Sequence, residues 1–310
     1  MAVKKQVKLA IIGLGTVGSG VVEVINRNRQ SFVAKTGSDI LIKKALVRDI
    51  TRPRRVDLTG IELTDKPEDV LEDPDIDVVV ELMGGVDKAG LYIAEALRRG
   101  KYVVTANKDL LAQKGVELMR LAREMGKGIY YEASVGGGIP LIRPLKHCLA
   151  ANKIKKILGI INGTTNYILT RMTYEQMEFS EALAEAQAKG FAEQDPSSDI
   201  EGKDAAFKLA ILAADAFHSE VDINKVYREG IADVKLRDIL YAEELGFIVK
   251  LLAIGEESEA GISLKVHPTL IPKTHPLAGV LDEFNAVLLE GDAVGEVMFY
   301  GRGAGSLPTA

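Results

Sequence analysis

The sequence predicts an α/β protein: a doubly wound parallel sheet followed by an α+β domain. Three observations predict it. Residues 1–132 alternate short apolar runs with amphipathic stretches. The run Val135-Gly136-Gly137-Gly138-Ile139-Pro140 then breaks the rhythm with residues that no regular element holds. Beyond it, a helical block gives way to strand-like segments over the last third.

Residues 7–12 are an apolar run bounded by glycine, which predicts a strand. Gly13-Leu14-Gly15-Thr16-Val17-Gly18 follows and opens a helix over about 16–34. G-x-G-x-x-G between a strand and a helix is the dinucleotide fingerprint of a Rossmann-type sheet. Gly13 permits the tight turn, Gly15 lets backbone approach a pyrophosphate, and Gly18 lets helix lie on strand. The N–H groups around Thr16 and Val17, at the positive end of the helix dipole, then face the phosphates. Strands are predicted at 40–47, 76–82, 102–105 and 129–132, with helices at 67–71, 88–99 and 109–125 between them. Ala45-Leu46-Val47-Arg48-Asp49 ends the second strand. An acid there suits a ribose 2′-OH and an Arg suits a 2′-phosphate. Arg48 comes first, which leans to NADP with NAD as the alternative.

The domain boundary is placed at the glycine-rich break. Domain one is 1–134, domain two 135–305, and 306–310 begins a return to the first. In domain two a helix is predicted at 141–150 and a strand at 154–161. A mostly helical block spans 165–216, with further helix at 239–249. Strands at 251–255, 262–267, 286–290 and 295–300 form a largely antiparallel or mixed sheet.

Bulk properties exclude several classes. A composition of 47% hydrophobic and 27% charged residues over 310 positions suits two ordinary globular cores. Net charge is −5 with Lys and Arg spread along the chain, so no nucleic-acid footprint is expected. The densest basic run, Arg52-Pro53-Arg54-Arg55, reads as a solvated loop. One cysteine, Cys148, excludes an intrachain disulfide and fits a reducing cytoplasm. Its apolar surroundings predict a packed, inert thiol. No apolar run reaches the ~18 residues of a membrane span, and the N-terminus leaves no room for a signal peptide. The four histidines lack ligand spacing, so no zinc site is expected.

Four spots carry chemistry. Glu81-Leu82-Met83-Gly84-Gly85 and Thr105-Ala106-Asn107-Lys108 both follow strands, on the sheet edge where ligands sit. Lys108 at a helix start is electrostatically unfavourable, which argues for a task there. Glu132 beside the carbonyls of the glycine-rich loop offers oxygen donors for a monovalent cation, although spacing alone fits a plain hinge better. In the stretch from Gly190 to Leu209, Asp204 and Lys208 stand four apart on one helix face bordering apolar residues. An ordinary surface ion pair explains that spacing equally well. Glu193, eleven residues upstream of Asp204, is placed to bind an amino group.

Taken together, these motifs resemble homoserine dehydrogenase. The resemblance also rests on Gly159-Ile160-Ile161-Asn162-Gly163-Thr164-Thr165-Asn166-Tyr167 and Gly301-Arg302-Gly303-Ala304-Gly305, and covers nearly the whole chain. It implies hydride transfer between a nicotinamide cofactor and L-aspartate 4-semialdehyde or L-homoserine, in threonine and methionine synthesis. It further implies Lys208 as proton donor and acceptor, and Lys108 between cofactor and substrate. Glu193 and Asp204 would hold the substrate's amino-acid end, supported by Asp199. Thr105, Gly190 and Gly303 would touch the cofactor. Glu132, with the carbonyls of Val135, Gly137 and Ile139, would bind a monovalent cation such as sodium. A cytoplasmic homodimer built through domain two is expected, with a small-molecule substrate and neither nucleic acid nor membrane as partner. Family members continue with a returning helix, and many add a regulatory ACT domain; this sequence ends at Ala310 before either. Two other readings stay open: a nucleotide-binding module without turnover, and a dehydrogenase for another amino-acid aldehyde.

Overall fold

β1 (Lys5–Ile12) stands near the middle of a six-stranded sheet in which every pairing is parallel. The other strands are β2 (Ser38–Leu46), β3 (Glu62–Thr64), β4 (Val78–Glu81), β5 (Tyr102–Thr105) and β6 (Ile129–Tyr130), in the order β3-β2-β1-β4-β5-β6. That is the Rossmann order, with its switch point between β1 and β4. Helices α1 (Thr16–Thr36), α2 (Glu68–Leu71), α3 (Asp87–Arg98) and α4 (Lys108–Glu124) connect the strands. Leu9, Ile11, Ile42, Ala45 and Val80 of the sheet pack with Val22 and Ile25 of α1. Each such side chain contributes roughly 1.5–3 kcal/mol by leaving water. The computed structural model describes residues 5–310, which divide into two compact units. The parallel sheet and its helices belong to the first, which runs through Ser134.

The second unit, Val135–Ala304, contains β7 (Ile154–Ile160), α5 (Gly163–Tyr174), α6 (Phe179–Ala188), α7 (Ser197–Ile200), α8 (Lys203–Ala216), β8 (Tyr227–Arg228), α9 (Leu236–Glu244), β9 (Phe247–Ser258), β10 (Gly261–Pro272), β11 (Phe284–Gly291) and β12 (Gly295–Arg302). Its sheet is mixed. The order is β12-β11-β7-β9-β10-β8, with β8 parallel to β10 and the other pairs antiparallel. Ile160, Leu252, Ile271, Ala286 and Leu288 form a core with Leu277, Ala278 and Val280 of the turn before β11. A short helix, α10 (Ser306–Thr309), belongs to the first unit, where Ser306 Oγ donates to Thr16 O at 2.9 Å.

Four expectations are corrected. The helix expected over 141–150 is a π-helical turn, Pro144–Cys148. Pro144 has no N–H for an α-helical bond, and Leu149 N instead reaches back five residues to Pro144 O. That turn buries Leu145 and leaves Cys148 exposed rather than packed. The helix expected to reach 249 ends at Glu244, because Gly246 adopts φ +84° and closes it. β9 begins at Phe247. Finally, β3 and β8 are pairings of three and two residues that no run of sequence announces.

Candidate active site

In the first unit, the β1–α1 turn is shaped for an anion. Gly13 has φ +101°, and a Cβ there would lie 2.8 Å from Leu82 O. A Cβ on Gly18 would lie 2.1 Å from Gly13 O. Gly15 differs: it is exposed, and a Cβ would meet nothing within 4 Å. It is the N-cap of α1, without a side-chain cap, and the first helical turn carries no acid. The amides of Thr16, Val17 and their neighbours therefore end in an open, positively polarised cradle that fits a pyrophosphate.

Beyond β2, Arg48 is exposed. The Asp49 carboxylate accepts from Thr51 N at 2.8 Å and Thr51 Oγ1 at 2.6 Å. The Thr51 hydroxyl, chiefly, lowers its pKa. Asp49 thus serves its own turn, while the guanidinium beside it faces solvent. The neighbouring basic run is an exposed to half-exposed loop, as its composition implies.

The ends of β4 and β5 are tied by one buried carboxylate. Glu81 accepts from Met83 N (2.9 Å), Gly84 N (3.2 Å) and Thr105 Oγ1 (2.7 Å). Asn107 N donates to the same Thr105 oxygen at 3.0 Å. Asn107 caps α4 by accepting from Leu110 N, and its amide donates to Gly85 O at 2.7 Å. Thr105 and Glu81 thus share one buried hydrogen-bond network. Their network places Lys108, half-buried, as the first residue of α4.

In the second unit, Asn162 organises the acidic cluster. As N-cap of α5 its Oδ1 accepts from Thr165 N at 2.9 Å. Its Nδ2 donates to Asp199 Oδ1 at 2.7 Å and to Asp204 Oδ2 at 2.9 Å. Asp204 lies in the first turn of α8 and pairs with Lys208 at 2.7 Å. Lys208 Nζ also donates to Ile161 O at 2.9 Å. The two side chains are only 9% and 13% exposed, so the surface-pair reading is set aside. Thr164 Oγ1 lies 2.6 Å from Phe191 O and 3.1 Å from Asp199 Oδ2, which fastens α5 to the loop carrying Glu193. Glu193 itself is exposed, as is Gly190, whose φ of +77° ends α6. The structure thus gathers Asp199, Asp204 and Lys208, with Glu193 on the adjoining loop. Asn162 and Thr164 were not singled out from sequence; an N-cap pattern announces Asn162 but not its partners 37 and 42 residues away.

The glycine-rich loop also lies in this unit from Val135 onward. Gly136 and Gly137 have φ +74° and +50°. Gly138 N donates to Arg302 O, and a Cβ on Gly137 would lie 2.5 Å from Gly303 O. Gly303 is buried against Asn285. Val135 and Ile139 are buried as well. Glu132 sits in a single 3-10 turn at the end of the first unit. Among the described residues no three His, Cys, Asp or Glu side chains gather as a metal site. A separate pocket of about 560 Å³, lined by Asp233, Asp238, Tyr241 and Leu270 among others, includes none of the candidate residues. No helix among the described residues is long and apolar enough to cross a membrane.

Comparison with known proteins gives the family. Residues 13–132 match the family described as "Homoserine dehydrogenase, NAD binding domain", and residues 140–310 match "Homoserine dehydrogenase". The chain is 49% identical over 306 residues to homoserine dehydrogenase of Bacillus subtilis (strain 168), covering 99% of this chain and 71% of that protein. Its structure is similar to that of a homoserine dehydrogenase from Thiobacillus denitrificans, with TM-score 0.96, 46% identity, and coverage of 99% and 71%. It is also similar to a hyperthermophilic archaeal homoserine dehydrogenase in complex with NADPH, with TM-score 0.80, 27% identity, and coverage of 98% and 94%.

Proposed function

The chain belongs to the homoserine dehydrogenase family, NAD(P)-dependent oxidoreductases of amino-acid biosynthesis, and on that premise we propose how its residues share the reaction. The nicotinamide supplies a hydride to the aldehyde carbon of aspartate semialdehyde, or accepts one from homoserine. In reduction the aldehyde oxygen becomes an alkoxide and takes a proton, which completes the alcohol. Lys208 is the donor. Asp204 and the Ile161 carbonyl hold its ammonium in place. The ammonium stabilises the developing charge and then gives up its proton.

Glu193 and Asp204 take the substrate's ammonium group, with Asp199 behind them. Family membership supports a place for Lys108 between cofactor and substrate, which would make it the second amine available to the oxidative direction. The observation that carries this assignment is the buried Asn162–Asp204–Lys208 chain. It fixes one ammonium where an isolated surface pair would leave it mobile. The test is the loss of reduced-nicotinamide absorbance on mixing protein, NADPH and aspartate semialdehyde, run beside a panel of other amino-acid aldehydes. No turnover with any of them sinks the assignment; faster turnover with another aldehyde reassigns the substrate.

Three finer points belong to the same proposal. NADP is preferred over NAD, supported by the exposed Arg48 beside an Asp49 already engaged with Thr51. A monovalent cation is held by the carbonyls of Val135, Gly137 and Ile139 with the Glu132 carboxylate, and its job is to brace the glycine-rich loop. The working form is a cytoplasmic homodimer joined through the second unit.

A further inference from the structure

Proton counting around Asp199 gives a result that the family reaction does not require. Asn162 Nδ2 has two protons, and Asp199 Oδ1 and Asp204 Oδ2 take one each. The Lys208 ammonium reaches Asp204. No Lys or Arg among the described residues forms an ion pair with Asp199. That leaves Asp199 Oδ2, 3.1 Å from Thr164 Oγ1. The threonine hydroxyl has a single proton, and Phe191 O, a pure acceptor at 2.6 Å, claims it. The contact between Thr164 Oγ1 and Asp199 Oδ2 is then a hydrogen bond only when the carboxyl brings the proton.

We infer that Asp199 is a neutral carboxylic acid in the resting enzyme, donating to the Thr164 hydroxyl oxygen while Asn162 holds its other oxygen. Asp204 alone of the pair then bears the charge that faces Lys208. Ionising both would set two largely buried carboxylates on one neutral amide, a costly arrangement. Burial and the charge of Asp204 both push Asp199 upward from the ordinary carboxylate range, against Asn162, Thr164 and Lys208, which pull it down.

The consequence rests on Lys208 being the acid–base group. With Asp199 neutral, the ammonium is held by one carboxylate and can still release its proton. When rising pH ionises Asp199, a second negative charge holds that proton more tightly and slows donation. Asp199 therefore acts through Asp204 and Lys208, as a positioning residue.

Two measurements test this. In the full chain with 13C-labelled aspartate carboxyls, one resonance that is absent from Asp199→Asn should still be that of a protonated carboxyl at neutral pH, where an ordinary aspartate is ionised. A resonance that is already ionised at neutral pH overturns the inference, and this readout needs no turnover, so it stands apart from the assignment of Lys208. The second is the pH profile of semialdehyde reduction. Asparagine reproduces the hydrogen-bond pattern of the neutral acid, so Asp199→Asn should keep at least about tenfold more kcat/KM than Asp199→Ala, the scale of a lost buried hydrogen bond. It should also lose the high-pH inflection that the parent shows. An asparagine variant as impaired as the alanine one, with the parent's inflection intact, overturns the inference.

Discussion

Lys208 carries the sharpest consequence at the scale of single residues. Under the proposed mechanism, Lys208→Ala removes the proton donor and leaves the β1–α1 turn of the first unit untouched. We expect kcat to fall roughly 10²–10⁴-fold, with NADPH affinity by fluorescence titration nearly unchanged; near-normal kcat transfers the role to Lys108. Arg48→Ala should weaken NADPH far more than NADH, because only NADPH has a 2′-phosphate for the guanidinium to grip. Equal losses for the two cofactors remove Arg48 from the choice. Lys250, 1% exposed, titrates outside the reaction. Its ammonium donates to Asn166 Oδ1 at 2.9 Å and Val280 O at 2.6 Å, and no carboxylate among the described residues forms an ion pair with it. Burial lowers its pKa from 10.5 to about 8, with Asp282 opposing. Between those values the unfolded chain binds a proton that the folded one does not, so stability rises with pH across that window. Below about pH 8 the full cost of burying the ammonium is present. The melting temperature should therefore rise relative to Lys250→Met between pH 8 and 10.5; parallel curves refute it. Helical spacing puts Asp204 and Lys208 on one face but fits a surface ion pair equally well; the family resemblance is what singles them out. Asn162, Thr164 and Lys250 act across the tertiary fold; an N-cap pattern marks Asn162 but not its partners, and no local pattern marks the other two.

Secondary-structure elements were legible where one residue type dictates the backbone. The fingerprint turn and the helix stops at Gly100 and Gly126 all follow from left-handed glycine. Elements set by pairing, such as β3 and β8, were not. β9 misled for a further reason: its first half is buried on both faces, so polar alternation is missing there and it continues the apolar pattern of α9. The glycines of the β1–α1 turn separate function from folding. Gly15→Val meets open space at a normal φ of −82°, so the fold should survive while the branched side chain blocks the pyrophosphate. Cofactor binding should vanish with the melting temperature little changed. Gly18→Ala drives a methyl to 2.1 Å from Gly13 O. It should cost about 1–3 kcal/mol or more, as overpacking does, and lower the melting temperature of the first unit. Retained cofactor affinity in Gly15→Val contradicts the anion cradle.

At the scale of the whole molecule, one face of the second sheet is covered only in part. The strand registers place Met298, Leu288, Leu158 and Ile254 in one row across β12, β11, β7 and β9. Tyr300, Ala286 and Ile160 form the next row. Toward Ile160 and Leu288 this face is buried by the turn before β11. Toward β12 it opens: Met298 is 41% exposed and Tyr300 53%, while Leu158 and Ile254 are half-buried. Glu296, Met298, Tyr300 and Arg302 alternate outward along β12, so the apolar pair sits between charged ends. A second copy related by a two-fold axis offers the same rows, and an isologous contact covers both at once. Two aspartates on that face would be buried without partners in such a dimer, but stay solvated in a monomer. Sedimentation at micromolar concentration should therefore give a dimer for the parent chain and a monomer for Met298→Asp/Tyr300→Asp, with the monomer's circular dichroism unchanged. A parent chain that sediments as a monomer removes the homodimer. A double variant that stays dimeric moves the contact to another surface of the second unit.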